Sequence, residues 1–450
     1  MLDYDFSNLY QNALNAGNSE EDINQYQDLL KQSYNRVVAD KPGFISMLDD
    51  ISFAKNIEEW VKENVHGRYD HFVVLGIGGS ALGNIALQKS LKPINWNRMT
   101  KEQRKGLPTI DIWDNVDPDF IRSNLDVIDP SKTLFNVISK SGTTAEAMSN
   151  YLIVRGILEE RGLKPKDHFV FTTDPEKGVL NKIIEKDGIQ KWEIPPSVGG
   201  RFSVLTPVGL LSAAVAGISV VKLLKGAKDT RDRILNSKPE KAPACEIALH
   251  HYIFGEKNKK INVMFAYSNA LYFWADWYRQ LWAESLGKAE DNGGKTVNYG
   301  LTPVKAIGPT DQHSQVQLYN DGPNDKVLTF LKVKDFNNEM RIPGYHKDIE
   351  ALEYLGGKSL NKLINSEQKA TAYAIKKHDK PNMTITFPKI DEENVGEFIF
   401  TYEFATTLLG YMADINPFNQ PGVEDGKVYT YALMGRKGFG DKRREIDTEN

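Results

Sequence analysis

The chain has 450 residues, of which 40% are hydrophobic and 26% charged, and its net charge at pH 7 is −4. This length provides for two domains with full cores, and the small negative charge gives no basic field that would attract nucleic acid. The single cysteine, Cys245, excludes an intramolecular disulfide, and the amino end lacks the basic and apolar regions of a secretory signal. We therefore expect a cytoplasmic protein without a nucleic-acid partner.

Residues 1–65 are polar, with an apolar stripe between Tyr26 and Tyr34 that predicts a helical arm packed on the main body. Residues 66–230 then alternate short apolar runs with helical stretches. The runs predict strands at 71–75, 110–113, 134–138 and 169–172. This alternation is typical of βαβ units, so we predict a first domain built on a parallel sheet.

The most apolar stretch, residues 205–221, approaches the length of a short membrane span. It contains Pro207, Gly209, Ser212 and Gly217, and polar or charged segments flank it. A buried core helix that begins near Pro207 is therefore favoured, and no membrane partner is expected.

Residues 231–435 repeat the pattern without evident sequence identity to the first half, and we place the boundary within 225–245. Strands are predicted at 261–266, 327–333 and 383–387, and helices at 270–286, 349–377 and 393–413. The fold class is thus α/β, with two doubly wound parallel sheets. Residues 436–450 form a charged tail that we expect to fray.

A hydroxyl-rich turn follows the third predicted strand. Four hydroxyl groups, on Ser139, Ser141, Thr143 and Thr144, surround Gly142, and a helix comes next. Hydroxyls, a glycine that admits close approach, and the free N–H groups of a helix start suit a phosphate monoester. The glycine-spaced frame of a nucleotide P-loop is absent. The alternative is a turn in which serine or threonine merely caps the helix.

A glycine-rich turn, residues 76–83 (GIGGSALG), follows the first predicted strand. It departs from the G-x-G-x-x-G spacing at the last position, and no ribose-binding acid follows at the right distance, so nicotinamide binding is disfavoured. Ligands of open parallel sheets bind at the carboxyl ends of the strands. If the first and third strands are neighbours, both turns converge on one site.

Six blocks in order along most of the chain resemble the glucose-6-phosphate isomerase (phosphoglucose isomerase) family of the shorter bacterial type. They are residues 76–83, 138–147, 198–210, 280–288, 310–319 and 416–427. The resemblance implies two sugar-isomerase (SIS) domains, each a parallel sheet between helices. It also implies reversible isomerisation of glucose 6-phosphate and fructose 6-phosphate, in glycolysis and gluconeogenesis, through ring opening and an enediolate intermediate.

Aldose–ketose isomerisation moves a proton between adjacent carbons, so it needs a positioned base and a cation for the enediolate. The resemblance assigns the base to Glu284, at the end of an aromatic helix, and the cation to Arg201, which follows two glycines. His313 and Lys427 correspond to the ring-opening pair. On residue type alone, a solvated acid, a structural salt bridge, a structural histidine and a solvated lysine remain alternatives.

The family's substrate contacts map onto a longer set of positions. They are Gly79, Ser80, Ser139, Lys140, Ser141, Gly142, Thr143, Thr144, Gln280 and Gln420. The side chain of Lys140 either adds charge to the loop or points away while its N–H binds. The resemblance implies no metal and no cofactor. It also implies a homodimer, because the family's histidine enters the site from the other subunit.

Three departures from the family pattern concern local structure. Asn419 stands where aspartate is common, Leu286 where a polar residue is frequent, and residues 289–298 form an insertion. We expect them to affect rate and loop structure. Two alternative functions remain: an isomerase that also accepts mannose 6-phosphate, and a non-catalytic sugar-phosphate sensor, against which Glu284 and Arg201 argue.

Overall fold

A computed structural model describes residues 1–449. The strands are β1 (Asp3–Asp5), β2 (His71–Leu75), β3 (Thr109–Trp113), β4 (Thr133–Ile138), β5 (Phe169–Thr173), β6 (Gln190–Glu193), β7 (Ile261–Ala266), β8 (Lys288–Glu290), β9 (Thr296–Tyr299), β10 (Thr302–Ile307), β11 (Lys326–Val333) and β12 (Asn382–Phe387). The α-helices are α1 (Glu20–Asp40), α2 (Gly43–Ser46), α3 (Phe53–Asn64), α4 (Leu82–Leu91), α5 (Pro118–Leu125), α6 (Ala145–Glu160), α7 (Pro165–His168), α8 (Val179–Asp187), α9 (Pro207–Val215), α10 (Val220–Leu235), α11 (Pro243–Glu256), α12 (Asn269–Leu286), α13 (Val316–Asp321), α14 (Glu350–Glu353), α15 (Leu360–Lys377), α16 (Glu392–Met412), α17 (Glu424–Leu433) and α18 (Gly440–Glu449).

Two five-stranded sheets organise the chain. The first has the order β3-β2-β4-β5-β6 with parallel pairing, and the second has the order β1-β12-β11-β7-β10, in which β1 is antiparallel to β12. Strands β2, β3, β4 and β5 of the first sheet correspond in chain order and in position to β7, β10, β11 and β12 of the second sheet. The two halves of the chain therefore repeat the same architecture. The predicted α/β fold with two doubly wound parallel sheets is confirmed.

The predicted strands all form, with ends that move by at most one residue. Their continuous apolar runs reflect burial on both faces: every residue of β4 and β5 is buried. Helix α16 is buried from Asn394 to Met412 and packs against α1, α10, α11 and α12, and one hydrophobic core includes residues of both sheets. This shared core fixes the two sheets relative to each other.

The amino-terminal segment differs from the expected purely helical arm. Its residues Asp3–Asp5 form a strand on the edge of the second sheet. Helix α1 packs on α11 and α16, whereas α3 packs on α9 and α10. A three-residue edge strand carries no periodic signal in the sequence, which explains why the pattern did not predict it.

The carboxyl-terminal segment also differs from expectation. Instead of fraying, it forms α18, which packs on α17, and the hydroxyl of Tyr429 donates to Glu445. Pairs of opposite charge three or four residues apart, such as Lys442 with Glu445, support this helix. Asn450, the last residue of the predicted tail, lies outside the described residues.

Other differences are local. The insertion at 289–298 contributes to the antiparallel pair β8–β9, and the predicted helix at 349–377 is divided into α14 and α15. The apolar stretch at 205–221 forms the predicted core helix from Pro207, but Gly217, at a φ of +69°, separates it from α10. Within residues 1–449, no helix is both long and apolar enough to cross a membrane.

Candidate active site

Two turns at the carboxyl ends of neighbouring strands form one wall of a cavity. Strands β2 and β4 pair directly, as the convergence of their turns requires. Ile77 from the first turn and Ser141, Thr143 and Thr144 from the second line a cavity of about 640 Å³. The opposite wall comes from the start of α17 and the residue before it, with Val423, Glu424, Gly426, Lys427, Thr430 and Tyr431.

The turn from Ser139 to Thr144 is held by its own hydroxyl groups. Ser139 Oγ lies 2.9 Å from Thr144 Oγ1 and accepts the Gly142 N–H at 3.0 Å. Ser141 Oγ lies 2.9 Å from Thr143 Oγ1. Thr144 precedes α6, yet its side chain makes no capping hydrogen bond. The hydroxyls therefore shape a loop, and simple helix capping does not account for them.

Lys140 contributes its backbone to this loop, while its side chain leaves the cavity. Its ammonium group donates to the carbonyl oxygens of Pro196 at 2.6 Å and Val198 at 3.0 Å. Burial lowers the pKa of Lys140, and nearby Asp174 opposes that effect. Of the two alternatives for this residue, the structure thus has the side chain directed away.

The glycine-rich turn connects the cavity to helix α12. Gly78 has a φ of +57°, and a Cβ at this position would lie 3.0 Å from Nε2 of Gln280. A Cβ on Gly79 would lie 2.3 Å from the backbone of Gly200, beside Arg201. Because no side chain fits at Gly79, this turn and the loop before Arg201 approach to backbone contact. Ser80 ends the turn, and its carbonyl accepts from Asn84 at 2.8 Å.

Glu284 lies in the last turn of α12, where two donors fix its carboxylate. Gln280 Nε2 donates to Oε1 at 2.9 Å, and Arg201 Nη1 donates to Oε2 at 3.3 Å. The same Arg201 nitrogen also donates to Gln420 Oε1 at 2.8 Å. The Glu284 side chain is 31% exposed and that of Arg201 only 1% exposed. Predicted residues from three distant blocks thus meet in one cluster.

The Arg201 guanidinium is saturated with acceptors. Its Nε donates to Ser285 Oγ at 2.7 Å, and its Nη2 donates to the carbonyl oxygens of Asn419, at 3.2 Å, and Pro417. Burial lowers the pKa of Arg201, and the charge of Glu284 acts in the opposite direction. A planar fork of donors that bridges side chains and carbonyls suits arginine and would not suit lysine.

Several residues near the site were not predicted. Lys288 donates to the carbonyl oxygens of Ser285 at 3.0 Å and Gly287 at 3.3 Å and also to that of Glu284, so it closes the end of α12. Burial lowers the pKa of Lys288 to about 8. Its spacing of four residues from Glu284, within the same block, is the signal that could have identified it. Tyr431 donates to the Thr143 carbonyl at 3.3 Å, across the cavity.

Lys427 lines the cavity, and its ammonium group donates to Glu424 at 2.7 Å on the exposed face of α17. It therefore lies opposite the hydroxyl-rich loop, as a residue that contacts substrate must. Among residues 1–449, no group of three or more histidine, cysteine, aspartate or glutamate side chains could hold a metal ion.

His313 lies elsewhere in the chain. It follows β10, whose last residue, Ile307, is paired with Ala266 at the carboxyl end of the second sheet. Glu284 lies near the opposite end of the second sheet, where the strands begin, because Trp282, two residues before it, donates to Asn262 at the start of β7. With a rise of 1.5 Å per residue, the helix from its start to Glu284 spans roughly 22 Å. A single chain does not bring His313 to Glu284.

Comparison with known proteins shows which family the chain belongs to. A family model described as phosphoglucose isomerase matches residues 24–447. A glucose-6-phosphate isomerase from Carboxydothermus hydrogenoformans is 44% identical over 99% of this chain and 97% of its own, and one from Rubrobacter xylanophilus is 39% identical over 97% and 98%.

Solved structures share the fold. A hypothetical protein from Thermus thermophilus superposes with a TM-score of 0.86 at 32% identity, covering 97% of this chain and 100% of the other. A glucose-6-phosphate isomerase from Chlamydia trachomatis superposes with a TM-score of 0.73 at 22% identity, covering 88% and 76%. The two sheets with their helices are thus SIS-type domains, and the chain belongs to the phosphoglucose isomerase family.

Proposed function

We propose that the protein catalyses the reversible isomerisation of glucose 6-phosphate and fructose 6-phosphate, a step of glycolysis and gluconeogenesis. The observation that carries this proposal is the Glu284 carboxylate, which Arg201 and Gln280 hold beside a turn that also borders the hydroxyl-rich cavity. Related chains that bear the name glucose-6-phosphate isomerase over nearly their whole length support it.

The hydroxyl-rich loop binds the phosphate of the substrate. Ser141, Thr143 and Thr144 face the cavity at the start of α6, where free backbone N–H groups and the helix dipole favour an anion. Lys427 adds a positive charge from the opposite wall. With the phosphate held here, the sugar extends past Gly79 and Ser80 toward α12.

Glu284 acts as the base of the isomerisation. It takes the proton from C2 of open-chain glucose 6-phosphate and returns it to C1, and the hydroxyl proton passes from O2 to O1. Between these transfers the negative charge of the enediolate lies on the two oxygen atoms. Arg201 supplies the buried cation that stabilises this charge, and Gln280 and Gln420 orient the groups around it. These steps need no metal and no cofactor.

Ring opening requires a proton donor and acceptor near the ring oxygen, and Lys427 and His313 fill these roles. Because His313 and Glu284 lie at opposite ends of the second sheet, His313 serves the site of a second copy of the chain. The active form is therefore a homodimer in which each site takes His313 from the other subunit. Histidine suits the task since it exchanges protons near neutral pH.

The decisive experiment is a coupled assay that converts fructose 6-phosphate to glucose 6-phosphate, with mannose 6-phosphate run alongside. Replacing Glu284 by glutamine should lower turnover by about 10²- to 10⁴-fold, since it removes the base and keeps the shape. Binding of the sugar phosphate, measured by calorimetry, should persist. Glu290→Gln, on the exposed strand β8, serves as the matched control and should turn over normally.

Near-normal turnover of Glu284→Gln would refute the role of this residue. A wild-type protein that binds fructose 6-phosphate without turnover would favour the sugar-phosphate sensor. Comparable turnover of mannose 6-phosphate would identify the bifunctional isomerase. The single buried cysteine and the phosphorylated substrate support a cytoplasmic location.

A further inference from the structure

A second cavity, of about 530 Å³, lies at the carboxyl end of the second sheet. One side comes from the residues after β7, Ser268 to Ala270, and another from the residues after β11, Asp335 to Asn338. In their sheet, β7 and β11 are neighbours that hold the positions of β2 and β4 in the first sheet. This cavity is therefore the topological counterpart of the proposed substrate site.

Ser268 presents an unused hydroxyl group to this cavity. It is only 6% exposed, and it lines the cavity directly before α12. Serine in this position normally accepts a hydrogen bond from the helix it precedes, yet its side chain forms no capping bond. Within residues 1–449 the hydroxyl has no hydrogen-bond partner. The hydroxyl is therefore free to bind a ligand that enters the cavity.

The start of α12 adds further donors. The backbone N–H groups of Asn269 and Ala270, which line the cavity, have no acceptor in the described part of the chain. This helix has 18 residues, so its dipole places a partial positive charge at the same point. The start of α12 thus offers free donors and a partial positive charge, both of which favour an anion.

Two lysines at the end of α4 complete the lining. The ammonium group of Lys89 donates to the Ile94 carbonyl at 3.3 Å, and that of Lys92 donates to the Gly217 carbonyl at 3.1 Å. Neither forms an ion pair with a carboxylate of residues 1–449, and burial lowers the pKa of both. One exposed carboxylate, Asp335, also lines the cavity. The Lys92 ammonium group lies over the Trp96 ring, outside the lining, so Lys89 is the cation that a ligand in the cavity can use.

We propose that this cavity is a second phosphate-binding site, which takes inorganic phosphate or the phosphate group of a small phosphorylated metabolite. The Ser268 hydroxyl and the first N–H groups of α12 bind the oxygen atoms, and Lys89 neutralises part of the charge. The site lies at the opposite end of α12 from Glu284 of its own chain and at the same end of the second sheet as His313, and its donors take no part in the catalytic roles proposed above.

The first test is crystallographic. Crystals of the full chain, grown without phosphate or sulfate, are soaked in tungstate, a heavier oxyanion of the same shape. We expect an anomalous peak within hydrogen-bonding distance of Ser268 Oγ, besides one at the hydroxyl-rich loop. Absence of the peak at Ser268 would overturn the proposal, whether or not the loop is occupied.

The second test measures affinity in solution. In the double variant Ser141→Ala, Thr144→Ala, which weakens the substrate loop, equilibrium dialysis with inorganic phosphate should still find one site per chain. Adding Ser268→Ala or Lys89→Gln should weaken this binding about tenfold, whereas Ser268→Thr, which keeps the hydroxyl, should not. Asp335→Asn, which removes a repulsive charge, should tighten it.

Unchanged affinity in both Ser268→Ala and Lys89→Gln would overturn the proposal. Dialysis with fructose 6-phosphate in the same variants distinguishes the two sources of the phosphate group, and tighter binding of either one supports the site. Since neither test measures turnover, a negative result would leave the proposed isomerase activity untouched.

Discussion

At the scale of single residues, hydrogen-bond partners fix the position of the proposed base, Glu284, more than burial of its side chain does. Glu284 keeps about a third of its side chain exposed, whereas Arg201 beside it is almost completely enclosed. The enclosed guanidinium satisfies Ser285, Gln420 and two carbonyl groups while it faces Glu284. One residue therefore supports the loop before α17 and, in the proposed reaction, also supplies the positive charge.

Replacing Arg201 by lysine should therefore harm stability and activity together. A single ammonium group cannot reach Ser285, Glu284 and the Pro417 carbonyl at once, so buried acceptors lose their donors. We expect a loss of about 1–3 kcal/mol in the free energy of unfolding, measured by urea titration. Turnover should fall about 10²-fold or more. Arg122→Lys, on the surface of α5, should leave both quantities unchanged.

Two adjacent histidines in α11 should make the protein sensitive to acid. Burial lowers the pKa of His250 to about 3 and that of His251 to about 4, from 6.5. Below pH 6.5 the unfolded chain binds protons that the folded chain cannot, so stability falls as the pH falls. Each histidine contributes a slope of up to about 1.4 kcal/mol per pH unit between its folded pKa and 6.5.

The variant His250→Gln shows how much of the pH dependence of the unfolding free energy comes from His250. Its amide can keep the contact with Asn18 that the imidazole makes at 2.9 Å. The difference in unfolding free energy between wild type and variant should shrink steadily as the pH falls from 6.5 to 4.5. Urea titrations at several pH values measure it, and a constant difference would show that His250 does not carry the effect.

At the scale of elements, the hydroxyl-rich loop depends on one glycine. Gly142 has a φ of +66°, and a Cβ here would lie 2.8 Å from the backbone nitrogens of Val179 and Leu180. Gly188, at the end of α8, has the same φ of +66° but open space around it. A comparison of alanine substitutions at the two positions therefore separates the effect of backbone strain from that of steric collision.

Both Gly142→Ala and Gly188→Ala should cost about 1 kcal/mol or more of stability, because alanine is strained at positive φ. Only Gly142→Ala should also push the loop away from α8 and raise the KM for fructose 6-phosphate. Steady-state kinetics and thermal unfolding on the same samples decide this. Equal KM values for the two variants would mean that the loop does not bind the phosphate.

The strands, the two turns and α12 were predictable because each carries a local pattern, such as the apolar runs or the hydroxyls around Gly142. Strands β1 and β6 were not predicted, since they are too short to show a period, and β10 was missed because only one of its six residues is buried. The meeting of Gln280, Glu284 and Arg201 came from family resemblance, because contacts between distant blocks leave no trace in spacing. The Ser268 cavity could be found only in the folded chain, because its lining comes from segments far apart in the sequence.

At the scale of the whole molecule, the two domains face the site differently. The first presents the carboxyl ends of β2 and β4, whereas the second presents the far end of α12, near the start of β7. The carboxyl end of the second sheet, with His313, is thus directed away from the site of its own chain. In the proposed dimer, this end of each chain completes the site of the other.

Mixing two inactive variants tests this arrangement. If His313 acts across subunits, a mixed dimer of Glu284→Gln and His313→Ala contains one site with both wild-type residues. Random exchange of subunits should then restore about a quarter of the wild-type activity. Analytical ultracentrifugation confirms the dimer, and the activity is compared before and after the subunits exchange. No recovery after proven exchange would place His313 in the site of its own chain.

Strand β1 pairs with β12, which the ribosome synthesises much later. Asp3–Asp5 leaves the ribosome about 380 residues before its partner, Asn382–Phe387, exists. At about 5–20 residues per second, this segment waits for roughly twenty seconds or longer without its place in the sheet. Until β12 emerges, β11 also lacks its neighbour on that side and exposes unpaired backbone groups. The second sheet of the nascent protein is therefore completed only when translation is almost finished.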